Sequence, residues 1–473
     1  SNLSMKLPSI SGAVAGTEIN VLSREANKKR RQKPVRVLFK EIFPLIQRLK
    51  PCLLMSPLSV CSYLDYETCK FDVVIFDEAS QIFPWDAIGA ISRAKQVIIV
   101  GDSKQMPPTD FFSSNTIEES EENAEESDSL DFESILDLGS AILPSQRLNW
   151  HYRSKTEELI AFSNENYYDS SLVTFPSAYG NRKDMGVDFY YQEDGIFDRK
   201  RRVNENEAKK VVELVFEHFK NHPERSLGVV AFSVAQQEII QDKIQEYRLN
   251  NKQFEKFFDD SLKEPFFVKN LETVQGDERD TIIFSIAYAK DEEGRFLHNF
   301  GPLNKVGGER RLNVAVTRAK YNVKVVSSIR SNDIDLSRSN ARGTYLLKKY
   351  LELAEFGTAR KSNFDEAKQD TIGVEKQVAE FLNANGFDIE TNVGFSEYKI
   401  DIAVKNKNND YVLAIEFDGN YYKNLKTTRD RDRLRQEVLE KLNWKFYRIW
   451  TIDWFLNNEI EKKKLLEVVE NSV

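Results

Sequence analysis

The chain has 473 residues, a length typical of about three domains, and 41% of its residues are hydrophobic, including 31 Phe and 18 Tyr. This apolar content is enough for several packed cores and excludes wholesale disorder. No apolar run approaches the roughly 20 residues of a membrane-spanning helix, and the first residues lack the pattern of a signal peptide. Three cysteines without ligand-type spacing, at positions 52, 61 and 69, predict a reduced, cytoplasmic protein with no membrane partner.

The net charge of −8 comes from one acidic tract. Residues 118–133 hold nine acids and no base, so the remaining 66 acids nearly balance the 67 bases. Such a tract is typical of a solvated loop. Basic residues cluster at 24–36, 311–320 and 423–435, and each cluster is either a solvated helix face or a contact for phosphate.

Short apolar strands alternate with helical patterns through the first 355 residues, at 72–76, 96–102, 227–233, 281–289 and 322–328. Runs that are apolar on both faces indicate parallel strands covered by helices, and therefore α/β layers. The composition shifts predict domains at 1–143 and 144–356, a polar linker at 357–372, and a smaller α/β domain at 373–473.

Two polar motifs follow strands in the first domain. Asp77 and Glu78 end the strand 72–76, and a buried strand that ends in Asp-Glu commonly holds Mg²⁺ and a water beside a nucleoside triphosphate. The turn GDSKQMPP, with Gln105, follows the next strand, at the edge where open α/β sheets bind ligands. Either motif alone could be a structural turn, but their proximity favours a nucleotide site.

Three further motifs lie in the second domain: WHYRS at 150–154, VQGDERD at 274–280 and LNVAVTRAK at 312–320. Their arginines Arg153 and Arg318 could be ordinary surface or ion-paired residues. Alternatively they complete a phosphate site, since a planar guanidinium matches the γ-phosphate oxygens with two hydrogen bonds.

Five motifs, in this order along the chain, resemble motifs II to VI of superfamily 1 helicases, in the branch of the RNA-surveillance helicases. They are DEAS, GDSKQMPP, WHYRS, VQGDERD and LNVAVTRAK. The resemblance covers about residues 50–330 and implies two RecA-like P-loop NTPase domains that use ATP. It implies that Asp77 holds Mg²⁺ through water, that Glu78 polarises the attacking water and that Gln105 senses the γ-phosphate. It further implies that Arg153 and Arg318 are arginine fingers.

The same resemblance implies additional contacts with the nucleotide and the nucleic acid. The implied nucleotide contacts are Tyr152, which stacks on adenine, and Gly276 and Glu278, which approach phosphate and ribose. Ser56 resembles the segment that touches the nucleic-acid backbone.

One element of the helicase pattern is absent. The 473 residues contain no G-x-x-x-x-G-K-[ST], the loop that cradles the β and γ phosphates. We therefore expect the first RecA-like domain to be incomplete and to need a missing upstream helicase segment. We expect the chain as given to bind ATP poorly and not to hydrolyse it.

The last hundred residues predict a helix at 373–387, stopped by Gly386, and strands at 397–406 and 411–422. Alternation places Asp401 on one strand, and Glu416 and Asp418 on the other, opposite the apolar face. Neighbouring carboxylates repel one another unless a cation lies between them, so the pattern favours Mg²⁺ or Mn²⁺ held by oxygen ligands. A surface sheet with polar alternation is the alternative.

The segment 427–444 predicts a helix with Arg431 and Arg435 at the edge of its apolar stripe. Arginines directed inward are costly unless they meet an anion or a carboxylate, although their stems can also extend to solvent. We predict that both contact DNA.

Four segments of this region are IDIAV, IEFDGNYY, RDRDRLRQEVLEKLNW and FYRIWTIDWF. Together they resemble the very-short-patch-repair-like endonuclease domain, of the PD-(D/E)XK type, that ends many large superfamily 1 helicases. The resemblance covers about residues 373–457. It implies that Asp401, Glu416 and Asp418 are metal or catalytic positions and that Glu375 assists them. Lys423 occupies the place of a usual histidine and is a poor general base at neutral pH.

The sequence as a whole predicts a helicase and nuclease that acts on single-stranded DNA, or on a duplex with a single-stranded end, in repair or defence. ATP is the expected small-molecule substrate. Two alternatives stay open: a non-catalytic clamp that only grips nucleic acid, and a fragment that supplies arginine fingers to a chain bearing the phosphate loop.

Overall fold

The computed structural model describes residues 16–108, 132–178, 184–357, 373–394, 398–418 and 433–473. The chain divides into two compact units, Ser1–Gln146 and Arg147–Val473. Most of the acidic tract, 118–131, lies outside the described residues. None of the helices within these ranges combines the length and the apolar character needed to cross a membrane.

The first unit contains two parallel strands, β1 (Phe71–Phe76) and β2 (Ala94–Ile99), with Val74 opposite Val97. Its helices are α1 (Glu18–Ala26), α2 (Val35–Leu49), α3 (Pro57–Tyr63), α4 (Pro84–Ile91) and α5 (Ile135–Ile142). The backbone of α2 leaves helical geometry at Ile42, two residues before Pro44. A proline inside a helix removes one backbone hydrogen bond and crowds the preceding turn, which accounts for this kink.

Only one face of the β1 and β2 pair is covered within the described residues. Phe76 packs there with Ala79 and Ile135 in a small core. On the other face Val73 and Ile98 are exposed, and Ile75 is 63% exposed. The expectation that both faces of β1 are buried is therefore wrong for this unit as described.

The second unit opens with a parallel sheet in the order β3-β9-β8-β6-β7. Its strands are β3 (Gly186–Tyr191), β6 (Leu227–Ala231), β7 (Phe267–Asn270), β8 (Arg279–Ser285) and β9 (Ala319–Ser327), and β4 (Phe197–Asp198) and β5 (Val203–Asn204) form a separate hairpin. Its helices are α6 (Glu158–Tyr167), α7 (Glu205–Asn221), α8 (Val234–Asn250), α9 (Gly308–Val316) and α10 (Arg342–Phe356).

Helices cover both faces of this sheet. Ile283 of β8 packs in the cluster formed by α7 and α8. Its neighbour Phe284 points the other way, and its ring lies 6.1 Å from the ring of Tyr350 on α10. Successive side chains of a strand face opposite sides, so a strand buried on both sides has to be apolar throughout. The predicted α/β layers are confirmed here.

The second unit also contains a four-stranded sheet in the order β10-β11-β12-β13, antiparallel except for the parallel pair β12 and β13. Its strands are β10 (Ile389–Val393), β11 (Ile400–Lys405), β12 (Tyr411–Phe417) and β13 (Lys445–Ile449). Its helices are α11 (Gly373–Ala384), α12 (Arg435–Lys441), α13 (Thr451–Leu456) and α14 (Asn458–Glu470). Gly386, with φ +83°, follows α11, in the left-handed conformation that glycine adopts at helix ends.

Candidate functional site

The two strand-end motifs of the first unit lie side by side. The amide of Ala79, just after Asp77 and Glu78, donates a hydrogen bond to the carbonyl of Val100 at 2.9 Å. Glu78 has a left-handed backbone, with φ +52°, an uncommon conformation for a residue other than glycine. This sharp turn at the carboxyl edge of the sheet leaves Asp77 and Glu78 exposed to solvent.

Gln105 is held by the turn that precedes it. Its side-chain amide donates to Asp102 Oδ2 at 3.1 Å, while Asp102 Oδ1 accepts from the amide of Lys104 at 2.9 Å. Because β1 and β2 are parallel neighbours, the Asp77 and Gln105 segments follow strand ends on one edge. A nucleotide site at this edge stays a prediction.

Ser56 caps a helix in this structure. Its hydroxyl accepts from the amide of Ser59 at 3.2 Å at the start of α3, and Ser56 is exposed. Serine is a favoured helix cap because it satisfies an amide that has no partner within the helix. The predicted nucleic-acid contact at Ser56 stays a prediction.

The three motifs predicted in the second domain meet at the amino ends of β8 and β9. Arg153 Nε lies 3.0 Å from Glu278 Oε2, and Lys320 Nζ lies 3.4 Å from Glu278 Oε1. The amide of Lys155 donates to the carbonyl of Lys320 at 2.7 Å. Tyr152, beside this cluster in sequence, is 62% exposed. The structure therefore brings the WHYRS, VQGDERD and TRAK motifs together.

Arg318 points into the protein in this structure. Its side chain is 5% exposed, and its Nε donates to the carbonyl of Val314 at 2.7 Å. An arginine finger has to reach the γ-phosphate, so that role requires the Arg318 side chain to turn outward. Gly276 has φ +85° and open space around the position of a Cβ, which permits a close approach of a ligand to the backbone.

Two predicted nuclease carboxylates lie on neighbouring strands. Ile402 of β11 is opposite Ile415 of β12, and continuing this antiparallel register by one residue places Asp401 opposite Glu416. Asp401 Oδ2 accepts from the amide of Phe417 at 2.9 Å. Burial raises the pKa of both carboxyl groups, Asp401 and Glu416, above their usual ranges, because a charged form is poorly solvated there.

Glu416 is already paired with a cation. Its Oε1 accepts from Arg435 Nη2 at 2.7 Å and from the hydroxyl of Tyr398. Glu416 is 1% exposed and Arg435 is 3% exposed. Arg435 therefore points into the domain, and its charge is balanced by the Glu416 carboxylate. The prediction that Arg435 contacts DNA needs correction, because the guanidinium is enclosed by the domain.

The other predicted nuclease residues are Asp418 and Glu375, which the structure describes, and two that fall outside the described residues. Asp418 Oδ1 accepts from the amide of Thr451 at 2.8 Å, at the start of α13, and also from the Thr451 hydroxyl. Glu375 lies half-buried on α11. Lys423 and Arg431 fall outside the described residues.

A metal ion does not fit this arrangement as it stands. Within the described ranges, no group of three His, Cys, Asp or Glu side chains is placed to hold a metal ion. Asp401 and Glu416 are adjacent, but Asp418 caps a helix and the Arg435 guanidinium already neutralises Glu416. Mg²⁺ needs near-octahedral oxygen ligation, which this geometry does not offer.

Sequence reasoning missed Tyr398 and Lys320. Tyr398 is 1% exposed and hydrogen-bonds Glu416 from a position just before β11. Lys320 joins the Arg153 cluster through Glu278. Lys320 lies inside a quoted motif and could have been selected for its charge, whereas nothing in the sequence around Tyr398 indicates its partner.

Family models match three stretches of the chain. Two are AAA domain models, over residues 51–112 and 128–330, and the third is REase_MTES_1575, over residues 374–469. These matches give residues 51–112 and 128–330 as AAA domains of the helicase type and residues 374–469 as an endonuclease-like domain, an arrangement that matches a superfamily 1 helicase fused to a nuclease domain.

Individual proteins that match this chain are also ATP-dependent helicases. The uncharacterized ATP-dependent helicase MG140 of Mycoplasma genitalium is 33% identical over 440 residues, which cover 89% of this chain and 38% of that protein. Its homolog in Mycoplasma pneumoniae is 31% identical over 442 residues, with the same coverage of 89% and 38%. The ATP-dependent helicase upf1 of Schizosaccharomyces pombe is 28% identical over 275 residues, which cover 55% of this chain and 27% of that protein. The chain thus spans 38% of the length of the two Mycoplasma relatives.

Proposed function

We propose that this chain acts within an ATP-dependent DNA helicase or translocase and supplies its metal-dependent DNA endonuclease. The pairing of Asp401 with Glu416 across β11 and β12 is the observation on which the nuclease assignment depends. Neighbouring buried carboxylates are typical of sites that bind cations. The endonuclease domain occupies residues 373–473, after helicase domains at 1–143 and 144–356 and a linker at 357–372.

The cluster of Arg153, Glu278 and Lys320 supports a nucleotide site in the second helicase domain. Arg153 is nearly half exposed, so its guanidinium can exchange Glu278 for a phosphate. We propose that Asp77, Glu78 and Gln105 bind Mg²⁺ and phosphate in the first domain. Hydrolysis of ATP then steps the protein along one DNA strand.

The exposed face of β1 and β2 supports an additional segment of the protein. Val73, Ile75 and Ile98 present apolar surface that a folded domain normally buries. We propose that an upstream helicase segment, which carries the phosphate loop, covers this face and completes the ATP site. Cytoplasmic repair or defence of DNA is the setting that this combination of activities suits.

Mg²⁺, or Mn²⁺ in its place, is the proposed cofactor of the endonuclease domain, because hard cations suit carboxylate ligands. Asp401 and Glu416 would supply these ligands. In the described arrangement Arg435 neutralises Glu416 instead, so the domain has to rearrange before it binds a metal.

Cleavage by an Asp401→Ala variant of the full chain tests the nuclease proposal. Supercoiled plasmid is incubated with wild type or variant in Mn²⁺, and nicked product is measured on a gel. We expect nicking that chelator abolishes and that Asp401→Ala reduces by at least about 100-fold, a loss typical of removing a catalytic group. Asp388→Ala removes an exposed aspartate of the same domain and should cut like wild type. Equal cleavage by Asp401→Ala and wild type would show that the site lies elsewhere.

A non-catalytic DNA clamp is the second candidate for the endonuclease-like domain. The buried Glu416–Arg435 pair favours it, because a carboxylate neutralised by arginine needs no metal. A clamp should retain DNA equally well with and without chelator in a mobility-shift assay and should never nick the plasmid. Metal-dependent nicking would exclude this candidate.

A further inference from the structure

The second helicase domain and the endonuclease-like domain share a buried junction beside the WHYRS motif. Residues 173–178 of the helicase domain, here called the docking segment, contribute Phe175 and Ala178 to a core of the endonuclease-like domain. Trp150, the first residue of the motif, and Val173 pack against the same core. The junction between the two domains therefore includes the beginning of a helicase motif.

Two hydrogen bonds fix the docking segment on the endonuclease-like domain. The indole N–H of Trp444 donates to the carbonyl of Pro176 at 2.8 Å. The amide of Tyr411 donates to the carbonyl of Ala178 at 3.1 Å. Hydrogen bonds weaken steeply with distance and misalignment, so the two bonds together set one register of the docking segment on this domain.

An aromatic contact joins the docking segment to the buried ion pair of the endonuclease-like domain. The rings of Phe175 and Tyr398 lie 4.9 Å apart, and the Tyr398 hydroxyl donates to Glu416. The Arg435 guanidinium lies over the same tyrosine ring, 4.3 Å from its centre. Breaking a buried, hydrogen-bonded ion pair is costly, so this group holds Tyr398 firmly against Phe175.

The docking segment in turn holds the first residues of the WHYRS motif. The amide of His151 donates to the carbonyl of Val173 at 2.9 Å, and the amide of Val173 donates to the carbonyl of Asn149 at 2.7 Å. The ring of Trp150 packs edge-on against Phe175 at 5.4 Å. Both the backbone and a side chain at this end of the motif are therefore attached to the docking segment.

The residue that follows the motif contacts the endonuclease-like domain directly. Lys155 Nζ donates to the carbonyl of Lys441, the last residue of α12, at 3.2 Å. The amide of Lys155 donates to the carbonyl of Lys320 at 2.7 Å, which keeps Lys155 beside the nucleotide cluster. The motif is thus attached to the endonuclease-like domain at both of its ends.

A closed turn lies between these two attachments. His151 Nε2 accepts from the amide of Ser154 at 3.3 Å and lies 2.8 Å from Ser154 Oγ. Burial lowers the pKa of His151 to about 4, so the ring is neutral at pH 7 and its nitrogen can accept. Arg153 lies within this turn, and its Nε is 3.0 Å from Glu278 Oε2.

We propose that the endonuclease-like domain positions Arg153 for the helicase reaction. Its contacts at Trp150 and Lys155 hold the WHYRS turn at both ends, so Arg153 is oriented before a nucleotide binds. A group that is already oriented loses less entropy on reaching the transition state. Trp444 and Lys155 are therefore positioning residues. This inference rests on the proposed role of Arg153 and is independent of nuclease activity.

Hydrogen exchange measured by mass spectrometry tests the attachment on the chain of 473 residues. Trp444→Leu removes the ring and the indole donor that hold the docking segment. We expect exchange at residues 150–155 to become at least about threefold faster, because local opening becomes easier. Trp454→Leu is the matched control, since Trp454 is buried in the other core of this domain, where its indole donates to Gln377 at 3.2 Å. It should leave exchange at 150–155 unchanged.

ATPase kinetics of the protein completed by its upstream segment test the consequence for Arg153. Trp444→Leu should lower kcat by about tenfold and leave the KM for ATP unchanged, because an arginine finger acts in the transition state. The same substitution should have no further effect in an Arg153→Ala background, since the residue that is positioned is then absent. Trp454→Leu should retain the kcat of wild type.

Lys155→Met keeps the test decisive if Trp444→Leu fails to fold. It retains an unbranched apolar side chain but removes the ammonium group that bonds the carbonyl of Lys441. It should show the same loss of kcat and the same absence of a further effect in Arg153→Ala. Lys348→Met removes a comparable bond, to the carbonyl of Ile334 at 2.9 Å, and should retain the kcat of wild type.

The outcomes separate this inference from the proposed function. With an active wild type, unchanged kcat or unchanged exchange at 150–155 in both Trp444→Leu and Lys155→Met would overturn the positioning role and leave the helicase proposal standing. An equal fall of kcat in Trp444→Leu and Trp454→Leu would also overturn it, because lost stability would explain both. Absence of ATPase in the completed wild type would overturn the role of Arg153 and this inference with it. A loss of kcat that is confined to the two positioning residues and absent from the Arg153→Ala background would support it.

Discussion

Trp444 of the endonuclease-like domain donates its indole N–H to the backbone carbonyl of Pro176 in the second helicase domain, at 2.8 Å. Trp444 is buried, and its ring stacks on Tyr411 at 5.4 Å. A buried carbonyl that loses its donor is costly, so this bond links the stability of the two domains.

Trp444→Phe should therefore loosen the junction. We expect a loss of about 1–3 kcal/mol in the free energy of unfolding, because the Pro176 carbonyl is left without its indole donor. Hydrogen exchange measured by mass spectrometry should show faster exchange in residues 173–178. Trp454→Phe removes an indole bond to Gln377 within the endonuclease-like domain and should leave exchange in 173–178 unchanged. Equal exchange in both variants would contradict the link.

Glu207 should make stability depend on pH. It is fully buried, accepts hydrogen bonds from Ser285 Oγ at 2.9 Å and from the amide of Ala287 at 2.6 Å, and burial raises its pKa to about 7. The folded pKa exceeds the ordinary value of 4.5, so the folded state holds the proton more tightly. This contribution to stability is complete below pH 4.5 and is lost as the pH rises through about 7.

Urea unfolding at pH 5 and pH 8 measures this effect. Wild type should be less stable at pH 8, whereas Glu207→Gln should lack that part of the decline. Glu213→Gln changes a 64% exposed glutamate on the same helix and should follow wild type. A pH profile shared by wild type and Glu207→Gln would show that Glu207 does not titrate in this range.

Arg153 should matter for catalysis far more than for stability. Its ion pair with Glu278 is exposed to solvent, and such pairs contribute about 0–1 kcal/mol. In a protein completed by the upstream segment, Arg153→Ala should lower the ATPase rate by about 10³-fold or more, the typical value of an arginine finger. Arg201→Ala breaks another exposed pair, with Glu205, and should retain full ATPase. Full activity of Arg153→Ala would assign the finger role to another residue.

The chain as given should hydrolyse no ATP. Asp77 and Glu78 can assist the reaction only when a phosphate loop positions the triphosphate. Steady-state phosphate release from residues 1–473 should equal that of a Glu78→Gln variant. An ATPase rate that Glu78→Gln abolishes would contradict the expectation that the site is incomplete.

Asp418 should act as a helix cap. It accepts from the amide of Thr451 at 2.8 Å at the first turn of α13. Asp418→Ala should lower the free energy of unfolding by about 1 kcal/mol, a typical value for losing a cap, whereas Asp418→Asn keeps an acceptor oxygen and should lose less. Thermal melts of the two variants in chelator make the comparison. An Asn variant as unstable as the Ala variant would indicate that the charge, rather than the acceptor, is needed.

Local patterns in the sequence were sufficient for much of the fold. Alternation placed Ile402, Leu413 and Ile415 in one core and turned Asp401 and Glu416 the other way, and the structure has this arrangement. Strands at 227–233 and 281–289 were found from their apolar runs, but β3 and β7 were missed because they are short and polar residues interrupt or end their apolar runs.

The sequence by itself determined the strongly apolar strands and which side of a strand each residue faces, because these depend on neighbours a few positions apart. Only the tertiary structure decided what covers each face. It left Ile75 exposed, enclosed Glu416 beneath residues 173–178, and turned Arg435 from a predicted DNA contact into a buried counter-ion. The last two outcomes depend on contacts between separate elements, across 19 positions for Arg435 and Glu416 and 268 positions for Trp444 and Pro176, which no local periodicity encodes.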